Sequence, residues 1–383
     1  MSTPTALVNA RVLGDHGPRE GLAVLVENGC IRAIVPAGDP RVALVERVDL
    51  DGRLLAPGFI DVQVNGGGGR LFNDDPGVET LRAIAAAHRR FGTTGLLPTL
   101  ISDDAQRTRA ALDAVDAAIA QGVPGILGIH LEGPFIAPAR KGIHAATHLR
   151  ELTADELALL CRPRRGVVML TLAPERVSAD AIGALHRAGV RVVIGHSAAD
   201  YATARAALDA GACGFTHLYN AMTQLGSREP GVVGAALDDP HAWCGLIVDG
   251  HHVHPASLRV ALAARPRGKC VLVTDAMPPV GTGATSFELD GQMIHVHEGA
   301  CRNADGVLAG SALDMAGALR NAIAWLDLPL PEASRMASAY PAAWLGLERT
   351  HGRLVAGQRA DFVVLDDALA VVETWIGGVR WRH

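Results

Sequence analysis

Five short segments of the 383-residue chain set imidazoles and carboxylates beside glycine or small residues. They are His130-Leu131-Glu132-Gly133-Pro134, Gly195-His196-Ser197, Thr216-His217-Leu218-Tyr219-Asn220, Asp249-Gly250-His251-His252 and Thr274-Asp275-Ala276-Met277. One carboxylate and two imidazoles, Glu132, His196 and His217, make a donor set that holds a divalent ion and leaves it an open position for water. Asp275 then supplies a proton acceptor facing that water. A lone histidine packs as readily as it ligates, so the reading rests on four residues of the right type reaching one place. His130 falls on the same side as Glu132 by strand alternation and suits a supporting or packing role as well as a catalytic one. His251 and His252 cannot both face inward. His254, His295 and His297 have no nameable partner and are read as structural or exposed. Arg228, in the loop MTQLGSREPG, has the fork geometry that binds phosphate.

These residues converge only if their segments end on one rim. Eight β-branched or apolar runs recur from residue 57 onward: 58–66, 93–101, 125–133, 167–175, 190–198, 213–221, 243–251 and 270–277. Ala-rich segments with helical composition separate them, such as VETLRAIAAAHRRFG (78–92) and DYATARAALDAG (200–211). Alternation of this kind predicts α/β architecture, a (β/α)8 TIM-like barrel whose active site lies at the C-terminal strand ends. Residues 1–56 and 347–383 read instead as short strands and turns. They are expected to pair as one small β-sandwich domain, with the barrel, 57–346, between them. A hairpin-like insert, 286–306, follows the eighth run. The first run, PGFIDVQVNG, alternates Asp61, Gln63 and Asn65 with apolar residues, which predicts three polar groups on one face of a strand at the barrel mouth.

Composition narrows the function. The formal charge of −5 comes without a basic run, which argues against nucleic acid or an anionic membrane as partner. No apolar stretch is long enough to span a bilayer. The N-terminal MSTPTALVNARVLG shows no charged-then-apolar leader. Six scattered cysteines form no C-x-x-C pair and fit free thiols in a cytoplasmic protein.

In combination and order, PGFIDVQVNG, HLEGPF (130–135), KGIH (141–144), GHSAA (195–199), THLYNAM (216–222), DGHHV (249–253), TDAM (274–277) and LAGSALDM (308–315) resemble the amidohydrolase superfamily, and within it the amino-sugar phosphate deacetylases. The resemblance implies hydrolysis of N-acetyl-D-glucosamine 6-phosphate to D-glucosamine 6-phosphate and acetate. It implies Glu132, His196 and His217 as metal ligands, Asp275 as acid/base, and His144 as hydrogen-bond donor to the substrate carbonyl. Asn220, Ala221, Arg228 and His252 match positions that hold the sugar phosphate. Leu308 and Ala309 match positions beside the acyl group, with Ile143 also lining the substrate site. Arg228 and His252 would reach in from the neighbouring subunit of a homodimer. Many members carry His-x-His on strand one for a second metal. Gln63 and Asn65 stand there here, so one firmly bound divalent ion per subunit is expected. Zinc is the first choice, with iron, cobalt or manganese as alternatives. An amidohydrolase acting on another N-acyl amino sugar or N-acyl amino acid is the competing activity. The bridging lysine that dihydroorotase-like relatives carry on strand four is missing from Leu172-Ala173-Pro174-Glu175. A barrel that only binds ligands is the competing class, and the retained Glu132, His196, His217 and Asp275 argue against it.

Overall fold

The computed structural model describes residues 4–383; the first three, part of the segment read for a leader, lie outside the described residues. All eight runs become strands: Phe59–Val64, Thr93–Ile101, Gly128–Glu132, Val167–Leu172, Arg191–Ile194, Gly214–Phe215, Trp243–Leu246 and Cys270–Leu272. Each pairs in parallel with its sequence neighbour, in unbroken order from one to eight. The sheet curls until Val64, at the end of strand one, pairs in parallel with Ala276, beyond strand eight. Ile60, Val62, Leu97, Met169, Val193, Ile247, Val271 and Val273 form one apolar cluster with Trp344 and Leu345. On the strand-end side of that cluster the side chains turn polar. His130 Nε2 meets Thr171 Oγ1 at 2.7 Å, and Thr171 Oγ1 meets Thr216 Oγ1 at 2.5 Å.

The helix over Val78–Arg89 covers its predicted segment, and the one over Tyr201–Asp209 stops just before Gly211, as helices do at a glycine. Both chain ends meet in a separate, largely antiparallel β-sandwich domain. Phe362–Leu365 pairs antiparallel with Leu54–Pro57. Leu7, Val24, Ile31, Leu55, Phe362 and Trp375 pack there around a core that neither end could bury alone. The insert is larger than a hairpin: Ser286–Leu289, Gln292–His297, Ala300–Arg302 and Leu308–Ser311 make a four-stranded antiparallel sheet. Ser311 joins that sheet to the barrel, donating its N–H to Asp275 O at 2.9 Å.

The glycine run after strand one has a steric cause. A Cβ on Gly66 would sit 2.4 Å from Arg70 O and 2.9 Å from Pro278 N, so only glycine lets the chain leaving strand one run against the chain leaving strand eight. His88, fully buried on the first helix, braces that turn, with Nε2 2.8 Å from Gly66 O. Burial pushes its pKa down from 6.5 to about 4. The unfolded chain therefore takes up this proton first as pH falls. The stability linked to His88 is complete above about pH 6.5 and drains away toward pH 4, by roughly 3 kcal/mol in all. We predict that His88→Gln flattens the fall in urea-unfolding free energy between pH 7 and pH 4. Parallel curves for variant and wild type would contradict the assignment.

Candidate metal centre and active site

Glu132 ends strand three, and His196, His217 and Asp275 each follow their strand by two or three residues. All four are buried, at 3, 5, 4 and 8% exposure, so their charges must be answered by protein or ligand. His196, His217 and Asp275 have φ of 48°, 28° and 54°, the left-handed region that costs a non-glycine residue about 1–3 kcal/mol. That turn aims each side chain back over the barrel mouth.

The donors converge. Glu132 Oε1 lies 2.9 Å from His217 Nε2 and 3.3 Å from His196 Nε2, and the two Nε2 atoms are 3.0 Å apart. His196 Nδ1 is 2.8 Å from Arg140 O, which only an N–H can satisfy. Its Nε2 therefore presents a lone pair to the centre. Burial pushes the Glu132 carboxyl up, but the facing His196 and His217 outweigh it and hold the group well below the usual carboxylate range. Burial lowers the His217 pKa, and Glu132 more than reverses it. Both directions report a demand for positive charge at one point. A divalent cation meets it with the donor chemistry that two imidazoles and a carboxylate offer.

Strand one answers differently from the sequence expectation. A register break between Asp61 and Val64 interrupts the alternation. Gln63 and Asn65 reach the mouth, while Asp61 bonds the Thr274 hydroxyl and backbone N–H instead. Gln63 Nε2 donates to Glu132 Oε1 and to Asp275 Oδ1, both at 3.1 Å. Asn65 Nδ2 donates to Asp275 Oδ1 at 2.6 Å. Facing acceptor-only carboxylates, both amides present N–H groups. Burial, then the Glu132 charge, raises the Asp275 pKa, and the Asn65 hydrogen bond pulls the other way.

His144 Nδ1 accepts the Ser102 N–H at 3.3 Å and faces Ser102 Oγ at 2.7 Å. Its proton therefore sits on Nε2. Burial, then the neighbouring His196, lowers its pKa to about 3, so it works as a neutral donor. One cavity of about 300 Å³ is lined by the four central residues together with Ile143, His144, Asn220, Ala221, His252 and Leu308. Two expectations need correction. Ala309 does not reach the cavity, because alternation along Leu308–Ser311 turns it into an apolar cluster with Met277 and Ile101. His252 lines the cavity of its own chain and needs no second subunit to arrive there. Arg228 is exposed and outside its own chain's lining.

Sequence reasoning missed the residues that hold others in place. Asp249 Oδ2 accepts His252 Nδ1–H at 2.6 Å, a contact three residues apart that D-G-H-H spacing permits. Burial raises the Asp249 pKa, and His252 outweighs it, taking the carboxyl to about 2. Glu175 holds Ser197 Oγ at 2.7 Å and Ala198 N at 2.6 Å, fixing the turn that carries His196. His130, fully buried, is tied through Nε2 to Thr171 Oγ1.

The sequence profile of the amidohydrolase family matches residues 54–380. The chain belongs to the amidohydrolase family. Among relatives of this amidohydrolase, the N-acetylgalactosamine-6-phosphate deacetylase of Shewanella sp. (strain ANA-3) is 48% identical over 326 residues, 85% of this chain and 82% of that protein. The crystal structure of N-acetylglucosamine-6-phosphate deacetylase from Pasteurella multocida superposes with a TM-score of 0.95 at 33% identity, over 99% of this chain and 100% of that one. A variant of the Mycobacterium smegmatis deacetylase, solved in complex with N-acetyl-D-glucosamine-6-phosphate, gives 0.90 at 33% identity, over 99% of each chain.

The Asn65–Asp275 contact yields a signed prediction. Removing a donor to the ionised carboxylate raises the Asp275 pKa further. A base works only when ionised, so Asn65→Ala should move the acid limb of the kcat/KM–pH profile to higher pH. A limb that stays in place or moves down contradicts the role given to Asn65.

Proposed function

We propose that the chain hydrolyses the acetamide of N-acetyl-D-glucosamine 6-phosphate to D-glucosamine 6-phosphate and acetate. The observation that carries this is a buried base, Asp275, and a neutral N–H donor, His144, sharing one small cavity with a convergent Glu132-His196-His217 set. An amide resists water because its carbonyl is a weak electrophile and its amine a poor leaving group. A divalent ion held by Glu132, His196 and His217, zinc by first choice, supplies Lewis-acid polarisation and acidifies water when bound. Asp275 takes the proton of the attacking water and returns it to the departing amine, a transfer worth about 10²–10⁴-fold. His144 Nε2–H donates to the carbonyl oxygen as negative charge grows there. With Nδ1 held by Asp249, the His252 ring keeps Nε2 for the sugar phosphate, beside Asn220 and the Ala221 backbone. Leu308 and Ile143 form the apolar side that suits a methyl group. Gln63 and Asn65, occupied with carboxylates, leave strand one no role in a second tightly bound ion.

The exposure of Arg228 supports its serving the cavity of a second copy, in a homodimer. Residues 57–346 act as the hydrolase barrel and 1–56 with 347–383 as the small β-domain. Free cysteines support a cytoplasmic setting, and among the described residues no helix is long and apolar enough to cross a membrane. A second reading has its own support: the Shewanella relative is named for the 4-epimer, N-acetylgalactosamine 6-phosphate.

Two measurements test the proposal. Asp275→Asn should reduce turnover by about 10²–10⁴-fold while the bound metal stays constant; near-wild-type turnover removes Asp275 from the mechanism. Acetate release should be far faster from N-acetylglucosamine 6-phosphate than from free N-acetylglucosamine. A faster rate on the galacto epimer would favour the second reading. No release from any phosphorylated amino sugar would end both.

A further inference from the structure

The cavity that is to receive a phosphorylated sugar is short of positive charge. Two carboxylates line it, Glu132 and Asp275, and among the residues lining it Arg140 is the sole arginine or lysine. Arg140 closes the short 3-10 turn Pro138–Arg140, on the chain between strands three and four. Its backbone is pinned to the metal centre: Ala137 N–H donates to His196 O at 2.9 Å, and Arg140 O accepts His196 Nδ1–H at 2.8 Å. The side chain is not pinned. Arg107, Arg150 and Arg176, on neighbouring elements, each pair with a carboxylate: Asp103, Glu156 and Glu151. Arg140 as a residue is half-buried, and its guanidinium has neither an ion pair nor a hydrogen bond among the described residues. A guanidinium carries five N–H donors, and one with no acceptor in its own chain, on a residue that lines the cavity, is complementary to an oxyanion.

We propose that Arg140 binds the phosphoryl group of the substrate from within the same chain, as a determinant of specificity for phosphorylated over free sugars. The inference rests on the sugar-phosphate reading above and adds a cation that no second subunit needs to supply. It also ties recognition to chemistry, because the residue that grips the anion holds His196 through its own carbonyl.

The test uses the metal-loaded, full-length enzyme with Arg140→Ala and Arg140→Lys. Arg140→Ala should raise KM for N-acetylglucosamine 6-phosphate roughly 10–100-fold, the range of a lost charge-assisted hydrogen bond. The inhibition constant of inorganic phosphate should rise in parallel. Arg140→Lys should recover part of the loss, and kcat/KM for free N-acetylglucosamine should hold. Equal losses on both sugars would mean that the substitution acts through His196, and would overturn the proposal. So would an unchanged preference for the phosphorylated sugar in Arg140→Ala, with the sugar-phosphate reading left standing. A wild-type enzyme without that preference would overturn the reading itself, and this inference with it.

Discussion

Two imidazole nitrogens 3.0 Å apart, both within 3.3 Å of one carboxylate oxygen, stay together only if positive charge lies among them. That requirement organises the mouth of the barrel. It sets the tautomer of His196, which must give its other nitrogen to a backbone carbonyl. It explains why the Glu132 pKa is held well below the usual carboxylate range and the His217 pKa is raised in a site with almost no exposure to water. It also explains why the amides of strand one are turned as they are. With the cation-seeking face occupied by three residues, Gln63 and Asn65 serve best as donors that keep Glu132 and Asp275 from repelling one another.

Holding such a cluster costs stability, and the fold shows where the cost is met. Three of the four central residues sit in left-handed backbone. Each is fixed by bonds from a neighbouring segment: Glu175 at the turn after His196, Gly245 O accepting the Leu218 N–H after His217, and Gln63 O accepting the Asp275 N–H. The last contact lies at the seam where strand one meets the chain beyond strand eight. Asp61 completes that seam by bonding Thr274, and burial raises its own pKa to about 7. Barrel closure and the placement of Asp275 are thus one structural event.

Much of this was legible in the sequence. The eight runs were visible because parallel strands covered on both faces read as continuous apolar stretches. The convergence of Glu132, His196 and His217 was visible because they stand at or just beyond strand ends, where a barrel gathers them. The β-domain could be anticipated from two ends too small to hold a core separately. What could not be read was side-chain partnership across long separations. The break that divides Asp61 from Gln63 and Asn65 is a matter of register with strand two. The link between His144 and Ser102 spans 42 residues, and that between Arg140 and His196 spans 56. Ala309 was misread because the motif carrying it gives no strand direction, and that direction alone decides which of two neighbours faces the cavity.

The central claim is that one cation is held at the point where Glu132, His196 and His217 converge. Anomalous diffraction from crystals of the purified protein, collected above and below the absorption edge of the bound metal, tests it most directly. The account predicts one strong peak per chain, bonded to Glu132 and to both histidine Nε2 atoms at about 2.0–2.2 Å. A fully active enzyme whose crystals lack that peak, or show it on Gln63 and Asn65 instead, would contradict it.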